Sequence, residues 1–205
     1  MKAPVFVLLC IALVSSLSAK TVDAYFGTGT SPEAVGIFHA KFDPNTGEIG
    51  ARTLAAKIKQ PEFLAFHPNG SHLYAVAKSD GPVLAAYGIN TDGSLTLLNT
   101  VPMSNGQGAH LAVHPSGKFL ITAQYFSSSV GVFSLAPDGS IVEQTQVLAH
   151  EGPTNINPRQ THPRPHWTGF SPDGKFALVP DLGTDKIHFY RVNGDGPTLT
   201  PHSVA

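Results

Sequence analysis

Apolar positions recur in short runs of four to seven residues, each closed by a turn-forming cluster, and this spacing predicts strands rather than helices. Phe63-Leu64-Ala65-Phe66 is followed by His67-Pro68-Asn69-Gly70, then Leu73-Tyr74-Ala75-Val76, Val83-Leu84-Ala85-Ala86-Tyr87, the turn Thr91-Asp92-Gly93-Ser94 and Leu95-Thr96-Leu97. The same order returns as Leu111-Ala112-Val113, His114-Pro115-Ser116-Gly117, Phe119-Leu120-Ile121-Thr122, Val130-Gly131-Val132-Phe133 and Pro137-Asp138-Gly139-Ser140. A third copy holds Ser171-Pro172-Asp173-Gly174, Phe176-Ala177-Leu178-Val179, Lys186-Ile187-His188-Phe189-Tyr190 and Asn193-Gly194-Asp195-Gly196.

Each x-Pro-x-Gly is a turn, because Pro presets φ at the second position and Gly takes a conformation other residues resist. These turns begin at positions 67, 114 and 171, close to the spacing of about 40 to 50 residues expected of a four-stranded propeller blade. Upstream, Tyr25-Phe26-Gly27, Gly36-Ile37-Phe38-His39-Ala40-Lys41-Phe42 and the turn Asp43-Pro44-Asn45-Thr46-Gly47 make at least half a further blade. The expected fold is an all-β propeller over residues 20–205, with about three and a half to four blades. Propeller blades bury their faces only against neighbours, so the chain is expected to be a piece of a larger ring whose further blades would follow Ala205. His67 and His114 lead two of the turns and are read as turn residues without chemistry. The aromatic residues along the strands are read as sheet packing.

Composition agrees with that class: Gly 20 and Pro 17 of 205 residues favour turns over helices. A formal net charge of -1 leaves no basic stripe for nucleic acid and no polybasic patch for a membrane surface. Residues Met1 to Ala19 combine Lys2, an apolar run from Val5 to Val14 and the small-residue end Ser15-Ser16-Leu17-Ser18-Ala19, the pattern of a secretory signal. The protein is expected to be exported, periplasmic or extracellular, with no membrane attachment once residues 1–19 are removed. Cys10, the only cysteine, would leave with that segment, and Leu9 stands where a lipoprotein signal needs a small residue.

The stretch Arg159-Gln160-Thr161-His162-Pro163-Arg164-Pro165-His166-Trp167 places two arginines, two histidines, two prolines and the only Trp in nine residues. It precedes a turn and a strand, and reads as a site loop feeding a scaffold strand. Together with Gly27-Thr28, Thr30, Pro61-Glu62-Phe63-Leu64-Ala65, Ala109-His110-Leu111-Ala112-Val113 and Asp181-Leu182-Gly183-Thr184-Asp185-Lys186-Ile187, it resembles the lactonase family of seven-bladed β-propellers, which includes a bacterial type of 6-phosphogluconolactonase and the carboxymuconate cyclase. Two positions depart from that family: Arg164 stands where Pro-His-x-His has its first histidine, and Gln124 replaces the Asn of Ala-Asn-Tyr.

The resemblance implies hydrolysis of a sugar lactone. That reaction needs a base for water, a donor for the oxyanion and a grip on the substrate's anionic end. Imidazole titrates near neutrality and guanidinium matches carboxylate or phosphate, so His110, His166 and Arg159 are the candidate catalytic residues, with Arg164, Gln160 and Asp181 as candidate substrate-binding residues. Asp181 is the candidate for orienting a histidine. His110 stands four residues before its turn and His166 five, so on regular strands they would face opposite sides. No metal site and no cofactor are expected: the pairs His162/His166 and His110/His114 lack helical backbone to bring them together, and Asn155, Asn157 and Asp181 are few oxygens for calcium. The expected partner is a small lactone or anionic sugar. The alternatives are a non-catalytic exported propeller that binds small anions or a protein, and a muconate-type lactone cycloisomerase.

Overall fold

The computed structural model describes residues 21–29, 35–194 and 196–205, in which every regular element is a strand. The proposed signal, residues 1–19, lies outside the described residues, as do Thr30 and Asp195. Four antiparallel meanders follow one another. Sheet I is β1 (Val22–Gly27), β2 (Gly36–Phe42) and β3 (Thr53–Lys57). Sheet II is β4 (Lys59–Phe66), β5 (His72–Lys78), β6 (Pro82–Ile89) and β7 (Leu95–Pro102). Sheet III is β8 (His110–Val113), β9 (Phe119–Gln124), β10 (Ser129–Leu135) and β11 (Ile141–Ala149). Sheet IV is β12 (Gly169–Phe170), β13 (Phe176–Asp181), β14 (Lys186–Val192) and β15 (Leu199–Val204).

The middle strands are apolar at successive positions because both of their faces are buried. In β5, Leu73 and Ala75 pack with Ile37 and Ala55 of sheet I, whereas Tyr74 and Val76 pack with Leu111, Leu120 and Phe133 of sheet III. In β9, Leu120 faces sheet II while Phe119 and Ile121 meet Ala177 and Val179 of sheet IV. The period of two along a strand thus assigns alternate residues to alternate interfaces, and three cores bind the four sheets face to face. The first strands β4, β8 and β12 pack in sequence along the inner side, as the repeat predicts.

The third and fourth strands of each four-stranded sheet slip register at the same place, between Ala86 and Tyr87, Val132 and Phe133, and Phe189 and Tyr190, and sheet I repeats it between Ile37 and Phe38. One extra residue there increases the twist of the outer edge. The inner strand of sheet IV, β12, is only 2 residues long. Only Gly169 and Phe170 pair with β13, while the Thr168 amide is given to His110 Nδ1 and Pro165 makes a lone bridge to Asp181.

Candidate active site

Within each four-stranded meander, the turn between second and third strands and the connection leaving the fourth strand emerge at the same end. The mouth there is lined by the segments that contain the candidate residues. His110 is the first residue of β8, paired with Ala123. Its ring lies 3.8 Å from the Phe63 ring and 5.5 Å from that of Trp167. The Thr168 backbone amide donates to His110 Nδ1 at 3.3 Å, and the Thr168 hydroxyl lies 3.2 Å from the same atom. An amide can only donate, so Nδ1 carries the lone pair and Nε2 the proton of the neutral ring. Nε2 has no hydrogen-bond partner among the described residues and is not among the fully buried unpaired atoms, so it keeps some contact with solvent. Burial, and then the charge of neighbouring His166, push the His110 imidazole down to about 4.

His166 is exposed, and neither ring nitrogen has a hydrogen-bond partner among the described residues. Its backbone amide donates to Pro180 O at 3.2 Å and its ring meets Tyr125 edge-on at 5.2 Å. His166 therefore stands in irregular backbone, which removes the parity conflict with His110. Arg164 shares the same tyrosine: its guanidinium carbon lies 4.7 Å from the Tyr125 ring centre, and its Nε donates to Arg159 O at 2.7 Å. That leaves the two terminal nitrogens of Arg164 on a fixed fork. The Arg159 side chain is exposed and has no partner among the described residues; its contribution here is the carbonyl that holds Arg164.

Gln160 and Asp181 are buried, and both belong to the framework of the loop. Gln160 donates to Leu182 O at 3.0 Å and accepts from Asn157 Nδ2 at 2.6 Å. Asp181 Oδ1 accepts the backbone amides of Arg164 at 2.6 Å, Gly183 at 2.8 Å and Thr184 at 3.1 Å. Its Oδ2 accepts His150 Nδ1 at 2.6 Å, and the Tyr190 hydroxyl lies 2.7 Å from His150 Nε2. Burial acts to raise the Asp181 carboxyl, but the His150 hydrogen bond and the amides of Arg164 and Thr184 outweigh it and hold the carboxyl below its usual range. Asp181 does orient a histidine, but that histidine is His150 rather than His110 or His166.

Arg-Gln…Pro-Arg-Pro-His and Asp-Leu-Gly-Thr-Asp are consequently two halves of one hydrogen-bonded unit. Leu182 N donates back to Arg164 O at 3.1 Å and Thr154 N to Gly183 O at 3.0 Å. Gly183 is obligatory, since a side-chain carbon there would run into the carbonyl oxygen of His162. Sequence reasoning missed His150: a lone histidine at the end of an outer strand carries no local pattern, and only the question of what pairs with a buried Asp181 could have found it. His150, Asp181 and His188 also bring ligand-type atoms within 4.8 Å of one another. In this arrangement His150 and Asp181 are bonded to each other and His188 Nε2 lies 3.0 Å from the Thr184 hydroxyl, so the cluster is a polar network that anchors the loop.

Residues 23–205 match the family model described as lactonase, 7-bladed β-propeller. The chain belongs to this lactonase family. Among its relatives is the 6-phosphogluconolactonase of Bacillus subtilis strain 168, 34% identical over 170 residues, a match that covers 82% of this chain and 48% of the relative. Solved structures of family relatives superpose on it. One from Bacteroides uniformis has a TM-score of 0.82 at 27% identity, covering 89% of this chain and 53% of that one. The periplasmic gluconolactonase of Pseudomonas aeruginosa has a TM-score of 0.76 at 28% identity, covering 84% and 50%. The chain spans about half the length of the curated relatives it matches.

Proposed function

We propose that this chain carries the site of an exported sugar-lactone hydrolase, in which His110 and His166 have different tasks. The observation that carries this reading is the pair of unlike histidines, one with a fixed Nε2–H that has no partner among the described residues and one with neither ring nitrogen bonded there. His166 takes a proton from water as the water oxygen attacks the lactone carbonyl carbon. The carbonyl oxygen gathers negative charge and receives a hydrogen bond from the Nε2–H of His110, a neutral donor beside two aromatic rings where such a contact is strengthened. The tetrahedral centre then expels the ring oxygen, and the proton on His166 passes to that leaving alkoxide, so the products are a hydroxy acid and the original imidazole. Arg164, fixed by Tyr125 and by the Arg159 carbonyl, is placed to hold a carboxylate or phosphate on the substrate.

Export is supported by the signal-like composition of Met1 to Ala19 and by the likeness to a gluconolactonase described as periplasmic. Mass spectrometry of protein from its native host should find a mature N terminus near Lys20. An intact Met1 on soluble protein would overturn that part of the reading. For the activity, the protein should open an aldonolactone faster than the spontaneous rate with chelator present, and His166→Ala should lose roughly a hundredfold. If the variant keeps the wild-type rate, His166 is not the base; if no lactone is opened above background while an anionic sugar still binds, the hydrolase reading fails and a binding propeller remains.

A further inference from the structure

Trp167 is the only tryptophan of the chain, yet it belongs to none of the three cores and keeps 45% of its surface exposed. Its neighbours Thr168 and Gly169 are buried, so its exposure is local to the ring. The ring is nevertheless fixed: it lies over Gly169, where any side-chain carbon would run into it, and beside His110 at 5.5 Å with the planes inclined by 44°. Phe63, 36% exposed, also packs on His110, ring centres 3.8 Å apart. The His110 imidazole thus contacts two half-open aromatic rings. A core tryptophan would be covered, and a tryptophan on a frayed loop would not have a glycine beneath it and an imidazole at its side.

A sugar ring presents hydroxyls around its rim and a patch of C–H groups on a face. Recognition of such a ring combines an apolar wall with a few directed polar groups, and stacking on an aromatic face contributes substantially where the aromatic ring is already immobilised. We propose that Trp167 is the platform on which the closed ring of the substrate stacks, and that it makes the site select cyclic sugar derivatives over their open-chain acids. The proposal rests on the sugar-lactone reading and names the group that discriminates substrate from product. A hydrolase whose product has lost the ring gains from a contact that only the ring can make, because product then leaves without competing.

The single tryptophan makes the test direct, since all indole fluorescence comes from this position. Glucono-1,5-lactam, a ring that resists hydrolysis, should change Trp167 emission saturably, and open-chain gluconate should need at least tenfold higher concentration to do so. Trp167→Ala should raise KM for an aldonolactone about tenfold, equivalent to about 1.4 kcal/mol, with kcat within about twofold, and Trp167→Phe should restore most of the loss. If lactones are opened but the lactam leaves the emission unchanged and both variants keep the wild-type KM, the platform is refuted and the hydrolase reading survives. If the lactam is bound and perturbs the emission but no lactone is opened, the platform stands and the hydrolase reading falls. Should Trp167→Ala fail to fold, the wild-type titration and Trp167→Phe still decide the matter.

Discussion

His114 Nε2 lies 2.9 Å from the carbonyl oxygen of Gly174, the glycine of the corresponding turn one sheet further along. His67 repeats the contact, its Nε2 3.0 Å from Gly117 O. The tautomer is set locally, because the amide of Ser116 donates to His114 Nδ1 and that of Asn69 to His67 Nδ1, leaving each Nε2–H to donate across the interface. Gly117 and Gly174 both have φ 71°, a conformation that costs other residues energy. Each x-Pro-x-Gly turn is therefore also a rivet to its neighbour. His114→Ala should lower stability by about 1–3 kcal/mol, the cost of leaving a buried carbonyl unpaired, and the half-exposed His67→Ala by less. Chemical denaturation of both variants checks this, and lactone opening under native conditions should be unchanged.

The buried Asp181 carboxylate holds the site loop through the Arg164 amide and is itself held by His150. His150→Ala should expose that arrangement's cost, about 3–5 kcal/mol for a buried charge deprived of its partner. If His150 positions the loop, proteolytic cleavage between Arg159 and His166 should accelerate more than cleavage elsewhere, and KM for anionic substrates should rise before the fold is lost. Equal acceleration at every site would mean a uniform loss of stability instead.

Strand order, blade spacing and the inward position of β4, β8 and β12 were legible because each depends on local chemistry: a Pro, a Gly, an apolar run. What joins two distant segments was not. His67 and His114 read as turn residues from their place before Pro, and nothing near them announces a carbonyl some 50 residues away. Arg159 matched the family at a loop position, but the decisive facts for Arg164 are Tyr125 beneath it, from the turn between β9 and β10, and Asp181 behind it, at the end of β13. Trp167 stood out in the sequence as a residue type, and its glycine seat became visible only with the backbone path.

Two histidines are held near pKa 4 in the fold: His110 by burial and then by His166, and His188 by burial and then by His150. In the unfolded chain both should titrate near 6.5. Between about pH 6.5 and 4 the unfolded state binds protons that the folded state refuses, so stability should fall as pH falls through this window. Both rings are partly solvated, and after allowance for screening the combined loss should be about 1–2 kcal/mol. Melting temperatures at pH 7 and pH 4.5 measure it. His110→Gln and His188→Gln should each flatten the dependence, and an unchanged slope in the double variant would place the proton uptake elsewhere.

The two arginines of the site loop should behave differently when each is removed. Arg164 has its guanidinium laid over Tyr125 and its Nε committed to Arg159 O, so its remaining nitrogens are held in one orientation before any ligand arrives. Arg159 offers an exposed side chain with no partner among the described residues and a structurally important carbonyl, and truncation of the side chain leaves that carbonyl in place. Arg164→Ala should therefore raise KM for a phosphorylated or carboxylated lactone about tenfold or more with a smaller effect on kcat, since the grip is made in ground state and transition state alike. An uncharged lactone should show little of this. Arg164→Lys should recover only part, because a point charge cannot reproduce the fork or the stacking on Tyr125. Arg159→Ala should change KM by less than about threefold, while the double variant should resemble Arg164→Ala alone. If instead Arg159→Ala carries the larger loss, the side chain swings into the mouth when substrate binds, and the preformed fork of Arg164 is not what selects the anion.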